Sequence, residues 1–339
     1  MMARQGAVRF SRQACGLLAG LMLGAAAQAA QPTESAGPAG DVQAFLQQIQ
    51  KAARSLDYSG VYVYQQGHTL QSSRLVHLVD GTGERERQEV LDGAPRECLR
   101  QDNVEQCLLP DRKLVVIRPA RSDHFPGLLL GNAQAIAAHY EWHTSPGTYR
   151  VAGRECSVSE LKARDRLRYS YRICTDKETH LLLKSQTLDP DGHLVDQTAF
   201  SSIRVGAAVQ SSALTTHWDT RSWQLVTESS APTDLQSQGW RFTLPPGFQS
   251  VAELSRQIGP AHAVKQLVVA DGLAAISIFI ETFDPKRDQT IRQGDLRQGA
   301  VSIHRMRLAS YWLTAVGEAP AQTVRDLARA VQYVPQAAR

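Results

Sequence analysis

Two cysteines in "PRECLRQDNVEQCLLP", Cys98 and Cys107, offer three chemistries: a metal site, dithiol exchange, or a covalent clip across a strand pair. With Asp102-Asn103 as a two-residue hairpin loop, Gln101 faces Val104, Arg100 faces Glu105, Leu99 faces Gln106 and Cys98 faces Cys107. Counted outward from the turn, the last pair is non-hydrogen-bonded, where Cα atoms approach to roughly 4.5 Å, inside the window of about 4.4 to 6.8 Å that a disulfide accepts. Cys156 and Cys174 in "CSVSELKARDRLRYSYRIC" are symmetric about Asp165, and the same hairpin logic pairs them. Leu161, Tyr169, Tyr171 and Ile173 then share one face and both cysteines the other. No C-x-x-C occurs and no histidine stands near either pair at zinc spacing, so two structural disulfides are expected.

Other reactive patterns are thin. His139 and His143 in "HYEWH" could put two ring nitrogens on one helical face, but Glu141 then points elsewhere and the H-E-x-x-H order is absent. There is no G-x-S-x-G, no phosphate loop and no G-x-G-x-x-G. The expectation is a protein with no catalytic residues, no metal and no cofactor.

Disulfides require an oxidising compartment, and the start of the chain supplies a route to one. Arg4, Arg9 and Arg12 precede the apolar run "CGLLAGLMLGAAAQAA", and Ala27-Gln28-Ala29 matches an A-x-A cleavage site, so residues 1–29 read as a secretory signal peptide. The run is too short to span a membrane comfortably, and no later segment of the mature chain is apolar enough to do so. Removing three arginines and no acids lowers the formal net charge from +4 to +1, which excludes bulk electrostatic binding of nucleic acid. The short signal suits export to a bacterial periplasm.

The elements divide the chain. Residues 30–40 form a spacer, and Phe45, Leu46, Ile49, Ala53 and Leu56 recur at helical spacing. Strands follow: "YSGVYVYQQG" alternates, "RLVHLVDGTG" ends at Asp80-Gly81, and Asp92-Gly93 turns into the cysteine hairpin. "RKLVVIRP" and the pair joined through "LDPDGHL" continue the meander. Residues 121–145 interrupt it with an apolar irregular stretch and a second helix. Residues 211–238 are small and polar and read as a linker, with one short strand near Trp223 to Val226. Residues 239–339 give a Pro-Pro-Gly turn, a hairpin pivoting on Asp271-Gly272, two further strands, and a last helix with Val324, Leu327, Ala328 and Val331 inward. The fold class is α+β: a curved antiparallel sheet or open barrel with helices over 41–210, then a smaller α+β domain.

The order of signal peptide, "LDYSGVYVYQ", linker, "LPPGF", "DGLAAISIFIE" and "TAVGEAPAQTVRDLA" resembles the RseB/MucB family of periplasmic regulators of the extracytoplasmic stress sigma factor. The resemblance implies a LolA/LolB-like lipid-sensing N-terminal domain and a smaller C-terminal domain that binds the anti-sigma factor. It further implies that the partner is the periplasmic region of a membrane-spanning RseA/MucA-type anti-sigma factor, shielded from the site-1 protease DegS and released when lipopolysaccharide or another acyl lipid binds. The competing reading is a periplasmic carrier of lipid or lipoproteins. Whether the chain forms a homo-oligomer is left open.

A half-open sheet has a concave apolar interior suited to acyl chains. Tyr62, Tyr64, Leu114, Val116, Phe125, Leu128, Leu129 and Leu130 are candidates for its wall, with ordinary core packing as the alternative for each; Phe125 and Leu128 to Leu130, between Pro126-Gly127 and Gly131-Asn132, read best as a lid. Arg74, Arg85, Arg87 and Arg121 are candidates for lipid phosphates or for a solvated strand face. Ile276, Ile278 and Phe279 are candidates for partner contact, or pack beneath the terminal helix.

Overall fold

The computed structural model describes residues 35–36, 39–120, 125–127, 133–206, 209–257, 263–286, 288 and 291–335. Helix α1 (Ala39–Ser55) follows the short strand Ser35–Ala36 and buries Val42, Leu46, Ile49, Ala52 and Ala53 at three- and four-residue spacing. Strand Tyr58–Gln66 follows and sits mid-sheet, between strands Thr69–Asp80 and Leu194–Val205. From the first of these neighbours the meander runs outward through Gly83–Val90, Glu97–Gln101 and Val104–Leu109 to Leu114–Pro119. From the second it runs through Leu182–Leu188, Ser170–Asp176 and Arg154–Ala163 to Tyr140–Thr144 and the short Ser35–Ala36. With Tyr149–Val151 paired to Arg154–Ala163 and one parallel edge strand, Gln224–Thr227, these make one open, curved, otherwise antiparallel sheet of fourteen strands, the architecture expected of the N-terminal part.

The first cysteine hairpin has the expected register: Cys98 faces Cys107 and Gln101 faces Val104, with a Cα separation of 4.1 Å across the disulfide. The second is bonded as expected, Cys156 to Cys174, but its register differs by two residues. Cys156 faces Asp176 and Val158 faces Cys174, so the bond runs diagonally, with Cα atoms 5.6 Å apart. The hairpin is therefore centred nearer Arg166 than Asp165. Two interactions favour this register: Arg154 pairs with Asp176 at 2.6 Å, and Arg168 turns inward at the far end of the loop.

Helix α2 (Ala133–His139) is shorter than the helical insert expected, because Tyr140–Thr144 continues as a strand against Arg154–Ala163. His139 and His143 consequently do not share a helical face.

The segment read as a linker is held by neighbours along its described length. Ala213 accepts a hydrogen bond from Arg87 and Thr216 donates to Glu97, on the outer face of the large sheet. Strand Gln224–Thr227 then adds to that sheet, parallel to Leu114–Ile117. After Glu228, strand Ser229–Pro232 joins a second sheet of seven strands. That sheet orders Ser229–Pro232, Gln249–Gln257, Ala263–Ala270, Ala275–Thr282, Tyr311–Gly317, Val301–Leu308 and Gly294–Gln298. Helix α3 (Ala321–Arg329) packs against it through Val324, Leu327 and Ala328, and Val331 follows them into the core. Trp240 completes this core, edge-on to Tyr311 and tilted against Tyr333. All described elements belong to one compact unit.

Candidate functional site

Helices α1 and α2 cover only part of the concave face. Under them lie Leu161, Tyr169, Tyr171, Ile173 and Leu182, buried with Leu46, Ile49 and Ile136. A second cluster gathers Tyr58, Tyr62, Leu75, Leu181, Leu183 and Phe200 around the Cys156–Cys174 bond. Beyond both, a cavity of 620 Å³ opens between the two arms of the sheet. Leu109 and Val116 line one arm, Tyr171 and Leu182 the other, and Phe125 projects between them. The polar lining is as extensive: Arg96, Arg118, Glu105, Gln88, Asp196 and Thr198 all face the space, and Arg118 meets Glu105 at 2.5 Å. The Cys98–Cys107 bond lies in this wall.

The expected lipid-contact residues separate here. Tyr64 and Val116 line the cavity. Tyr62 is buried beside it, its hydroxyl taken by Gln88. Phe125 seats its ring 5.4 Å from Tyr62 and 5.0 Å from Phe200, filling the apolar end of the hollow. Leu114 is half-buried. Leu128, Leu129, Leu130 and Arg121 lie outside the described residues. Arg74, Arg85 and Arg87 are engaged by Glu89, Asp80 and Glu97 respectively. Of the expected partner contacts, Ile276 and Ile278 expose no surface and form the core beneath α3, whereas Phe279 on the opposite face stays half-exposed.

Sequence reasoning missed the cavity's fourth wall. Leu273, Ala300 and Glu318 line it: the first two sit on turns between strands of the seven-stranded sheet, and Glu318 on the connection from its strand Tyr311–Gly317 to α3. Asp271 anchors the first turn: its Oδ1 accepts from the amides of Leu273 and Ala274, while its Oδ2 accepts from Arg168 at 2.7 Å and Tyr140 at 2.9 Å. Neither Arg168 nor Asp271 exposes any side-chain surface. Arg168 also donates to Asp165 at 3.0 Å and to the Pro246 carbonyl at 2.6 Å, and its guanidinium lies 5.1 Å from the Phe248 ring. Burial alone would lower its pKa; Asp165 and Asp271 outweigh that and hold it above its ordinary value. Burial pushes the hydroxyls of Tyr140 and Tyr171 well up, and Tyr140 donates to Asp271 as a neutral phenol. Ala300 donates its amide to Asp196 Oδ2 at 2.9 Å, and Tyr64 donates to the same oxygen at 2.9 Å. Nothing in "KARDRLRYS" marks Arg168 out among its charged neighbours, and Asp271 reads locally as a turn residue.

Two groups of side chains stand close enough to share a metal among the described residues: Cys98, Glu105 and Cys107, whose sulfurs are committed to the disulfide, and Asp189, Asp191 and His193 on an exposed turn. In the latter, one Asp189 oxygen already accepts from the amides of Asp191 and His193. The site's chemistry is that of enclosure: a half-polar hollow whose walls come from two sheets.

Residues 41–218 match the profile of the MucB/RseB N-terminal domain, and residues 234–332 that of the MucB/RseB C-terminal domain. The chain belongs to the MucB/RseB family. Among similar MucB/RseB proteins, the sigma factor AlgU regulatory protein MucB of Pseudomonas aeruginosa is 29% identical over 315 residues, which cover 88% of this chain and 93% of that protein. The sigma-E factor regulatory protein RseB of Escherichia coli is 26% identical over 296 residues, 86% of this chain and 90% of that one. The crystal structure of MucB in complex with MucA(peri) superposes with a TM-score of 0.65 at 27% identity, covering 88% of this chain and all of that chain. The expected family is therefore the observed one. Its two profiles leave residues 219–233 between them, the stretch that passes from one sheet to the other.

Proposed function

We propose that this chain is a periplasmic regulatory protein that binds the periplasmic region of a membrane-spanning anti-sigma factor and so restrains an envelope-stress sigma factor. The observation that carries the reading is the likeness, over 88% of this chain, to MucB, whose solved complex holds MucA(peri). Residues 1–29 serve as the export signal in this account, and the mature chain runs as a lipid-sensing part over 41–210, a connecting segment over 211–238 and an anti-sigma-factor-binding part over 239–339. Binding shields the partner from site-1 proteolysis. The cavity is the sensor: an acyl lipid such as lipopolysaccharide enters between Val116, Leu182 and Leu273 and loosens the grip on the partner. The two effects must be reciprocal, so the lipid binds the free protein more tightly than the complex by the factor with which it weakens the partner. The role is binding, with no catalytic step.

Affinity purification of the mature chain from periplasm and membranes of its own cells tests this. Recovery of a membrane-spanning anti-sigma factor is expected. Recovery of lipoprotein cargo without such a partner would instead support a carrier.

A further inference from the structure

Three turns of the seven-stranded sheet meet the large sheet beside the cavity. Pro246 and Gly247 lie against Arg168 and His139, Asp271 to Ala274 against Arg168 and Tyr140, and Gly299-Ala300 against Tyr64 and Asp196. We propose that these contacts are a latch, centred on Arg168 and Asp271, whose opening admits an amphiphile to the cavity. The proposal rests on the reading that the cavity takes an acyl chain, and adds how entry is controlled.

The geometry argues for two discrete positions. Arg168 holds one carboxylate from each sheet, Asp165 from its own loop and Asp271 from the opposing turn. A small separation would leave the buried Asp271 without its cation and without water, so partly opened arrangements are costly. Full separation hydrates Asp271, and Arg168 keeps Asp165, which is one-third exposed already. The latch is thus either shut or open. Leu273 follows two residues after Asp271, and Ala300 is itself bonded to Asp196, so both leave the cavity wall when the turns withdraw. Opening therefore widens the hollow. Apparent affinity for any ligand of the open form is its intrinsic affinity scaled by the open fraction.

Gly299 gives a second way in. Its φ of +60° and its position place a Cβ against Tyr64 Oη and 2.7 Å from Asp196 Oδ2, so alanine there wedges the Gly299-Ala300 contact apart.

The test uses the mature full-length protein. A dansyl-labelled undecanoic acid is titrated by fluorescence, and small-angle X-ray scattering is recorded without it, for wild type, Asp271→Asn, Gly299→Ala and the control Arg166→Gln, which removes only the surface pair with Asp191. Asparagine keeps an oxygen for the two turn amides while removing the charge from Arg168. Expected are a larger radius of gyration and an affinity raised about tenfold or more in both latch variants, as when the open fraction rises from roughly one in twenty to more than one half. The control should match wild type. An Asp271→Asn protein that is folded, no larger and no tighter for the probe would overturn the latch. Were that variant to lose its folded signal in circular dichroism, Gly299→Ala decides by the same two readouts. If neither wild type nor variants take up probe but the latch variants expand, the latch stands and the acyl-chain reading falls.

Discussion

The two sheets are built from the same kind of alternating strand and end differently. In the seven-stranded sheet Ile276, Ile278, Ile280, Leu313 and Ala315 are buried with Val324, Leu327 and Ala328 of α3 in one apolar cluster. In the fourteen-stranded sheet α1 and α2 cover one arm, and the inner face of the other carries Gln88, Glu105 and Arg118 beside Val116. A sheet whose inner face mixes charges with aliphatics cannot close dry, because each uncovered charge keeps its water. Curvature without a second covering layer then leaves a hollow, the place proposed above for an acyl ligand.

The sharpest way to break this comparison is to truncate both interiors alike. Ile278→Ala removes buried methylenes from the closed core and should cost about 2 to 5 kcal/mol in urea unfolding. Val116→Ala, at the half-exposed cavity wall, should cost about 1 kcal/mol or less. Equal losses would mean the cavity wall is ordinary core.

Filling the hollow sharpens it further. Ser185 is half-buried in the cavity wall, so Ser185→Phe adds a ring to existing space. Affinity for a dansylated fatty acid should fall at least about tenfold while the melting temperature holds. A large drop in melting temperature would show the space to be smaller than 620 Å³ implies.

The two disulfides repeat the contrast on a smaller scale. Cys156 and Cys174 are buried within a hydrophobic cluster and close 18 residues of separation, whereas Cys98–Cys107 lies at the cavity wall and closes 9. Loop entropy favours the longer by only about 0.6 kcal/mol, so most of any larger gap reports the void left in the cluster. Replacing each pair with alanines should cost about 3 to 5 kcal/mol for the buried bond and about 2 to 3 for the other.

The smallest effect concerns pH. Burial alone would raise the Asp176 carboxyl, but hydrogen bonds from Arg154 and Thr179 lower it below its ordinary value. Its contribution is complete above the unfolded carboxylate pKa, near 3.9, and is lost as pH falls through the folded value. Asp176→Asn should melt a few degrees lower than wild type near neutral pH, with the gap shrinking toward pH 3. A gap independent of pH would contradict the assignment.

Legibility in the sequence followed locality. The Asp102-Asn103 turn fixed one register because every residue of that hairpin counts outward from two turn positions. The loop at 164–169 is longer and holds a buried arginine whose partner lies about a hundred residues away, so local symmetry placed the second register two residues off. The polar stretch 211–238 reads as a linker because its partners on the outer face, Arg87 and Glu97, are themselves polar and leave no apolar period. The cavity's fourth wall was invisible for a related reason: Asp271, Gly299 and Asp196 look like turn and surface residues until the second sheet is set against the first.

One measurement bears most directly on the central claim, that an acyl ligand entering the cavity loosens a held partner. The mature protein and its Ser185→Phe variant would each be immobilised with the purified periplasmic region of the membrane-spanning anti-sigma factor recovered with the chain from its own cells, and dansyl-labelled undecanoic acid added. The account predicts that both hold the partner, that wild type releases it over the range in which the cavity fills, and that the variant retains it. Release from both proteins at the same probe concentration would contradict it.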